Sequence, residues 1–435
     1  MADRILENRR FATSDHRLRF AEAAGIYVAG AVGLLLVWVA PARADVSVSA
    51  GASARARYET VENPGWNAGP GEGGYLLTRF MLHAALELDP HVRLFAEVKS
   101  GLETGRDAGA RPTDKDELDV HQAYLELGLP VADLQLRLGR QELAYGASRL
   151  VSVREGPNVR RSFDGARLRA RAGSWQVDAF VVAPVETKPG VFDDGDEDGQ
   201  YFWGLYGTGP VLPWLNVDAY LLFLHNRDAK FEQGTGQESR YSAGTRLWGK
   251  GAGWDGDFEL VYQWGSYGTG SIRAWTAASD SGYSVGPVRF GLKANATSGD
   301  NDPKDPDLQT FNPLFPRGSY FGEASLIGPL NHIDLDPSLD LHLGRDLAIL
   351  ADVDCFWRES LADGVYGTSG ALQVPGAGNP ARYVGTQTSL TVEWKIDRHA
   401  NLTAAYAHFF AGAFLSQAGR AHDIDFAAVW VQGSI

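Results

Sequence analysis

The stretch from Leu134 to Ala172 constrains the chain most: LQLRLGRQELAYGASRLVSVREGPNVRRSFDGARLRARA. In its first arm Leu134, Leu136 and Leu138 alternate with Gln135, Arg137, Gly139 and Gln141. In its second arm Ala166, Leu168, Ala170 and Ala172 alternate with Arg167, Arg169 and Arg171. Side chains on a strand repeat with a period of two, so each arm carries one apolar face and one largely cationic face. In a water-soluble sheet the apolar face meets a core and the arginines meet water. In a membrane barrel the apolar face meets lipid and the arginines line a wet lumen.

The same pattern recurs along the chain. Leu76, Thr78, Phe80, Leu82, Ala84 and Leu86 fall opposite Arg79, His83 and Glu87. Leu94, Ala96 and Val98 fall opposite Arg93, Glu97 and Lys99. Tight turns such as Asp89-Pro90 alternate with long loops, as in outer-membrane barrels. Between Val46 and Val431 the alternation yields about 18 segments of barrel-strand length. No linker interrupts them, and no repeat of propeller length is present. The predicted fold is all-β: one antiparallel transmembrane barrel of about 18 strands, over residues 45–435. The 51 glycines suit turns, and the 12 Trp and 16 Tyr suit interfacial girdles.

The N-terminus predicts export. An apolar run, Gly25 to Ala40, follows Arg9, Arg10, Arg17 and Arg19 and ends in Pro41-Ala42-Arg43-Ala44. A cationic leader, an apolar stretch and an A-x-A site describe a secretory signal, residues 1–44, cut before Asp45. A retained anchor is the competing reading, because about 16 apolar residues fall just short of spanning length. Taking the six basic and four acidic residues of 1–44 from the chain's 40 and 54 leaves a formal charge of −16. So acidic a chain is a poor nucleic-acid binder. The acids cluster in loop-like Asp193–Asp198 and Asp300–Asp307, while many bases lie within alternating segments. The expectation is acid outside and base within.

Arg79, Arg93, Lys99, Arg137, Arg167, Arg169, Arg171, Arg240, Arg246, Arg289 and Lys293 all fall on predicted polar faces. Guanidinium groups in a confined lumen attract carboxylates and bind them through two parallel donors. Each one taken alone reads better as an ordinary filler paired to a nearby acid such as Glu87, Glu97 or Glu126, whereas Arg137, Arg167, Arg169 and Arg171 together read equally as a pore wall. Catalytic and cofactor signatures are missing: no nucleophile elbow, HExxH, P-loop or Cys/His metal spacing occurs. No cofactor or metal is therefore expected, and no enzyme. The run from Asp194 opens like a calcium loop, but Leu205 stands where the twelfth-position glutamate belongs. The single cysteine, Cys355, excludes an intramolecular disulfide.

One further set of stretches is distinctive: TFNPLFPRGSYFGE from Thr310, DCFWRESLADGVY from Asp354, LRLGRQELAYG and RRSFDGARL. Through them the chain resembles the alginate export family of bacterial outer-membrane proteins, over most of its length. The resemblance implies an 18-stranded barrel with an arginine-rich pore for an anionic polysaccharide, narrowed by loops and a periplasmic turn. It places Arg140, Gln141, Arg160, Arg161, Asp164, Asn312, Phe315, Arg358 and Asp363 at family positions. Of these, Arg140 and Arg358 are expected at the pore, and Asp164, Asn312 and Phe315 in loops or gates. Arg140 shares the parity of Leu138, so it needs a bulge or a strand end to face inward. The expected partners are outer-membrane lipid, an anionic oligo- or polysaccharide and periplasmic export components. The expected function is passive diffusion of an alginate-like polymer or related anionic solutes. A porin for small organic anions is the first rival, and a barrel-embedded hydrolase the remotest.

Overall fold

The computed structural model describes residues 46–68, 71–129 and 133–435. The expected signal segment, residues 1–44, lies outside the described residues. Eighteen strands close one antiparallel barrel. They are β1 Ser47–Glu62, β2 Glu72–Asp89, β3 Val92–Thr104, β4 Asp116–Leu129, β5 Leu134–Gln141 and β6 Phe163–Ala172. There follow β7 Trp175–Glu186, β8 Gln200–Leu212, β9 Leu215–Phe231, β10 Gly234–Gly251, β11 Trp254–Tyr267 and β12 Gly270–Val285. The last six are β13 Val288–Thr297, β14 His332–Leu343, β15 Leu347–Trp357, β16 Tyr383–Lys395, β17 Ala400–Ala411 and β18 Ile424–Ser434. Each pairs with its sequence neighbour, and β18 returns to β1 with Trp430 opposite Arg57. Closure leaves no free sheet edge inside the bilayer, where an unpaired backbone group costs several kcal/mol.

The alternation behaves as a lipid–lumen switch. On β2, Phe80 is 55% exposed and Leu82 59%, while Met81 between them and Phe80's other neighbour Arg79 are buried. Outward-facing Trp175, Trp214, Trp254, Tyr283 and Trp394 ring the end that carries the short turns. Tyr201, Trp264 and Phe410 stand outward near the opposite end. Two such aromatic belts anchor a barrel at the membrane interfaces. The short-turn end is the periplasmic one by this plan. Long loops fill the other end, with two exceptions: tight hairpins join β9 to β10 and β11 to β12.

The lumen face is not uniformly polar. Phe163, Phe180, Phe202, Leu222 and Leu224 point inward and are buried. They are covered by the loop 142–162, through Leu143, Leu150 and Val151, and by the loop 298–331, through Phe311 and Phe315. The Phe315 ring meets Phe202 at 4.9 Å and Phe163 at 5.2 Å, both edge-on. The two loops join by a short parallel contact: Phe315 N donates to Leu150 O at 2.9 Å and Arg317 N to Ser148 O at 3.1 Å. An apolar core has therefore been built inside the barrel. Burying a phenylalanine there is worth about 1.5–3 kcal/mol, a contribution toward holding the loops inside the lumen.

Two motif glycines shape this region. Gly139 on β5 and Gly165 on β6 face each other and hold φ values of +121° and +152°. A Cβ on either would lie 2.3 Å from a neighbouring carbonyl oxygen, Ala123 O or Val181 O. Only glycine admits that approach.

A lumen partition and two oppositely charged walls

The partition is tied to the wall on several sides. Arg55 of β1 donates to the carbonyls of Glu155, Gly156 and Pro157 at 3.1, 3.1 and 2.8 Å. Arg79 of β2 binds the Glu155 carboxylate. Asn158 Nδ2 reaches the carbonyls of Thr78, Leu102 and Asp114. Across the lumen Arg149 bridges Asp257 and Glu259 of β11, each at 2.9 Å. The second loop is held by Gln263 Nε2 to Asn312 O at 2.7 Å, Arg57 to Glu323 at 2.6 Å and Gln387 Nε2 to Phe321 O at 2.8 Å.

The wall cations expected at a pore sort into paired and unpaired. Arg137 binds Glu126 at 2.5 Å and lies over the Tyr124 ring at 4.0 Å. Arg169 forms a two-pronged pair with Asp178 at 2.9 and 3.0 Å. Arg246 is shared by Asp257 and Asp218, and Arg289 by Asp255, Asp280 and Asp340. Lys293 binds Asp336 at 2.9 Å, Lys99 joins Asp116 and Asp194, and Arg240 is wholly buried against Glu238. Arg93, Arg167 and Arg171 have no acid partner among the described residues; Arg171 touches only Gln176 Oε1 at 3.4 Å.

The family positions are largely organisers of loops. Arg140 stands at the end of β5, just past Gly139. It pairs with Asp164 through two bonds of 2.9 Å and lies 3.6 Å from Asp119. It thereby ties the ends of β4, β5 and β6. Asn312 caps its own turn through Leu314 N at 2.8 Å and donates to both oxygens of Glu238. Arg358 is fully buried in a cage of carbonyls from Leu361, Asp363, Gly376, Asn379 and Ala381, with the Phe414 ring 4.0 Å away. Burial pushes its guanidinium down to about 10. Asp363 accepts from Asp300 N, Thr310 Oγ1, Tyr366 OH and Gly364 N.

Alternation also turns further charged residues inward, beyond those expected at the pore. Arg55 and Arg57 interleave with Ala54, Ala56 and Tyr58 on β1, and both are buried inward. Asp334 and Asp336 interleave with outward Leu335, and Asp352 and Asp354 flank outward Val353. Arg154, Arg161 and Arg317 lie on the inward loops, where strand parity says nothing. None has an acid partner among the described residues, and burial lowers all three below the ordinary arginine range.

The charges segregate round the wall. β5 and β6 carry Arg137, Arg167, Arg169 and Arg171; β14 and β15, half the ring away, carry Asp334, Asp336, Asp340, Asp352 and Asp354. Bases line much of the wall, with their densest run on β5 and β6, and the facing sector on β14 and β15 is acidic. The partition leaves separate cavities on its two sides. One of about 490 Å³ lies on the extracellular side, between Arg161, Lys230, Glu238 and Phe315. Another of about 280 Å³ lies below, under the segment Arg317–Glu323. They share no lining residue.

The comparisons agree with this architecture. The family model for alginate export matches residues 46–428. Among curated proteins nothing matches. Acinetobacter baumannii OccAB2 is similar in structure, with a TM-score of 0.63 at 11% identity over 89% of this chain and 98% of that one. Pseudomonas aeruginosa OpdL gives 0.62 at 13% identity, covering 89% and 99%. At such identity these establish the fold alone. Closed barrel, aromatic belts and family match together place the chain in the bacterial outer membrane, with lipid against its outer face. It belongs to the alginate export family of outer-membrane channels.

Proposed function

We propose that this channel passes small carboxylate-bearing solutes by passive diffusion, along the cationic sector of β3 to β7. The observation that carries this reading is the trio Arg93, Arg167 and Arg171, cations without acid partners among the described residues, on neighbouring parts of one wall. Beside them Arg137 and Arg169 keep donors close, although their charge is offset by Glu126 and Asp178. Unpaired guanidinium lowers the cost of bringing a carboxylate into a narrow aqueous passage. The polymer reading rests on the family. The packed loops speak for a smaller solute, since a sugar chain needs the Phe315 contact between them to open. Family and fold are those of channels, and no catalytic constellation is part of this reading.

The test is reconstitution in planar bilayers under a salt gradient. The channel is expected to favour chloride and small carboxylates over potassium. Arg167→Ala with Arg169→Ala and Arg171→Ala is expected to lower that preference severalfold. Cation preference in the unaltered channel, or selectivity untouched by the triple change, would remove the cationic sector from the passage. Block by oligouronates that grows with chain length would favour the polymer instead.

A further inference from the structure

The cavity beneath Arg317–Glu323 carries charge of both signs, and most of it is already spent. Asp336 is bound to Lys293 at 2.9 Å, Asp280 to Arg289 at 3.0 Å and Glu323 to Arg57 at 2.6 Å. What remains is asymmetric. On the roof, Arg317 has no acid partner among the described residues, and its buried Nε has no hydrogen-bond partner. On the wall, Asp352 of β15 and Glu393 of β16 have no cation partner among them, and the Oδ1 of buried Asp336 accepts nothing. Buried polar atoms left unsatisfied cost about 1–3 kcal/mol each, so such a set is better satisfied by an occupant that brings both charges.

We propose that this cavity binds a small zwitterion, its carboxylate against Arg317 and its ammonium against Asp352 and Glu393. This deepens the channel reading and rests on it, since a zwitterion is one class of carboxylate-bearing solute. The volume fits: about 280 Å³ is the share of roughly nine waters, enough for an amino-acid-sized molecule. Tyr320 and Phe426 add aromatic surface of the kind that suits a substituted ammonium. Access is from the periplasmic end. Glu393 and Trp430 also line a cavity of about 330 Å³ at that mouth, beside Arg345 and Lys395. Opposite charges on roof and wall select against both fragments of the solute. A plain anion meets the acids, and a plain cation meets Arg317.

The experiment uses the full chain in planar bilayers with glycine betaine added on the periplasmic side. Interruptions of the current are counted against acetate alone and tetramethylammonium alone. Betaine is expected to bind at least tenfold more tightly than either. Arg317→Gln is expected to weaken betaine about tenfold and leave tetramethylammonium unweakened. Asp352→Asn with Glu393→Gln is expected to weaken both. Betaine binding no tighter than acetate, or indifference to these changes, overturns the site. Open-channel selectivity, measured in the same membranes without betaine, is scored separately. Anion preference without betaine binding removes the zwitterion site alone; betaine binding without anion preference removes the carboxylate passage alone.

Discussion

Arg169 and Arg317 are both guanidiniums inside one barrel, yet their surroundings differ in kind. Arg169 grows from a strand, and its neighbour across the ladder is Asp178, which takes both its prongs. Arg317 grows from a loop folded into the lumen and finds only Tyr320, its carbonyl at 3.4 Å and its ring at 5.5 Å. Strand geometry explains the contrast. Residues directly opposite on an antiparallel pair lie about 5 Å apart, so an inward arginine is readily matched by an inward acid. A loop crossing open lumen has no such fixed partner. The wall cations therefore mostly hold the barrel together, and the charge left for solutes concentrates on the loops and on Arg93, Arg167 and Arg171.

The largest effect is expected from separating the loops. Phe315→Ala removes a ring wedged between Phe163 and Phe202. A buried Phe→Ala change costs about 3–5 kcal/mol, and here the cost falls on the partition rather than on the strand ladders. Open-channel conductance should rise and become noisier, while the temperature at which the barrel unfolds in detergent should stay the same. Unchanged conductance would mean that the partition does not limit the passage, and the contrast between loop and wall would lose its functional meaning.

How far the sequence carried the fold follows from the same contrast. Period-two alternation located the strands and their outward faces because lipid imposes one rule on every outward residue. Leu168, Phe80 and Leu82 obey it without exception. The inward faces answer to three different neighbours: water, a facing acid or an infolded loop. That is why Phe180 and Leu222, inward and buried, did not stand out as lumen residues. The acidic sector of Asp334 and Asp352 follows the same parity as Arg167, with outward Leu335 and Val353 beside the inward acids. The partners of Arg140 and Arg358 were not legible, since they depend on where loops distant in sequence come to rest. Motif likeness marked those positions without revealing that Arg358 binds only carbonyls.

A smaller effect is expected from freeing a wall arginine. Asp178→Asn leaves Arg169 without its carboxylate and adds one net positive charge to the cationic sector. Two unit charges about 6 Å apart in water interact by roughly 0.7 kcal/mol, so the ratio of monovalent-anion to neutral-solute permeability should rise about threefold. Asp198→Asn, on the exposed part of an outer loop, serves as the control and should shift the ratio far less. Equal shifts from both would show that only net charge matters and that the pairing described for Arg169 is irrelevant to passage.

The smallest expected effect is a pH dependence of the loop 298–331. Asp300 is buried at its start; its backbone N–H is spent on Asp363, and Ser360 Oγ donates to its carbonyl at 2.5 Å. Burial pushes its carboxyl up to about 6, with Asp363 nearby adding to the rise and the N–H groups of Asp302 and Gln309 opposing it. A carboxyl raised in the folded state favours that state when protonated. Its contribution is complete below the ordinary carboxylate range near 4 and is lost as the pH climbs through about 6. Backbone amides of this loop should therefore exchange more slowly near pH 4 than at pH 7, once intrinsic exchange is corrected for. Asp300→Asn should flatten the dependence, because an amide keeps the shape and does not titrate. Arg169 on the wall supplies the reference: amides of β6, held by the ladder and a two-pronged pair, should show no such step. A step of equal size in β6 would trace the effect to the whole barrel, and the loop would have to be treated as part of the wall.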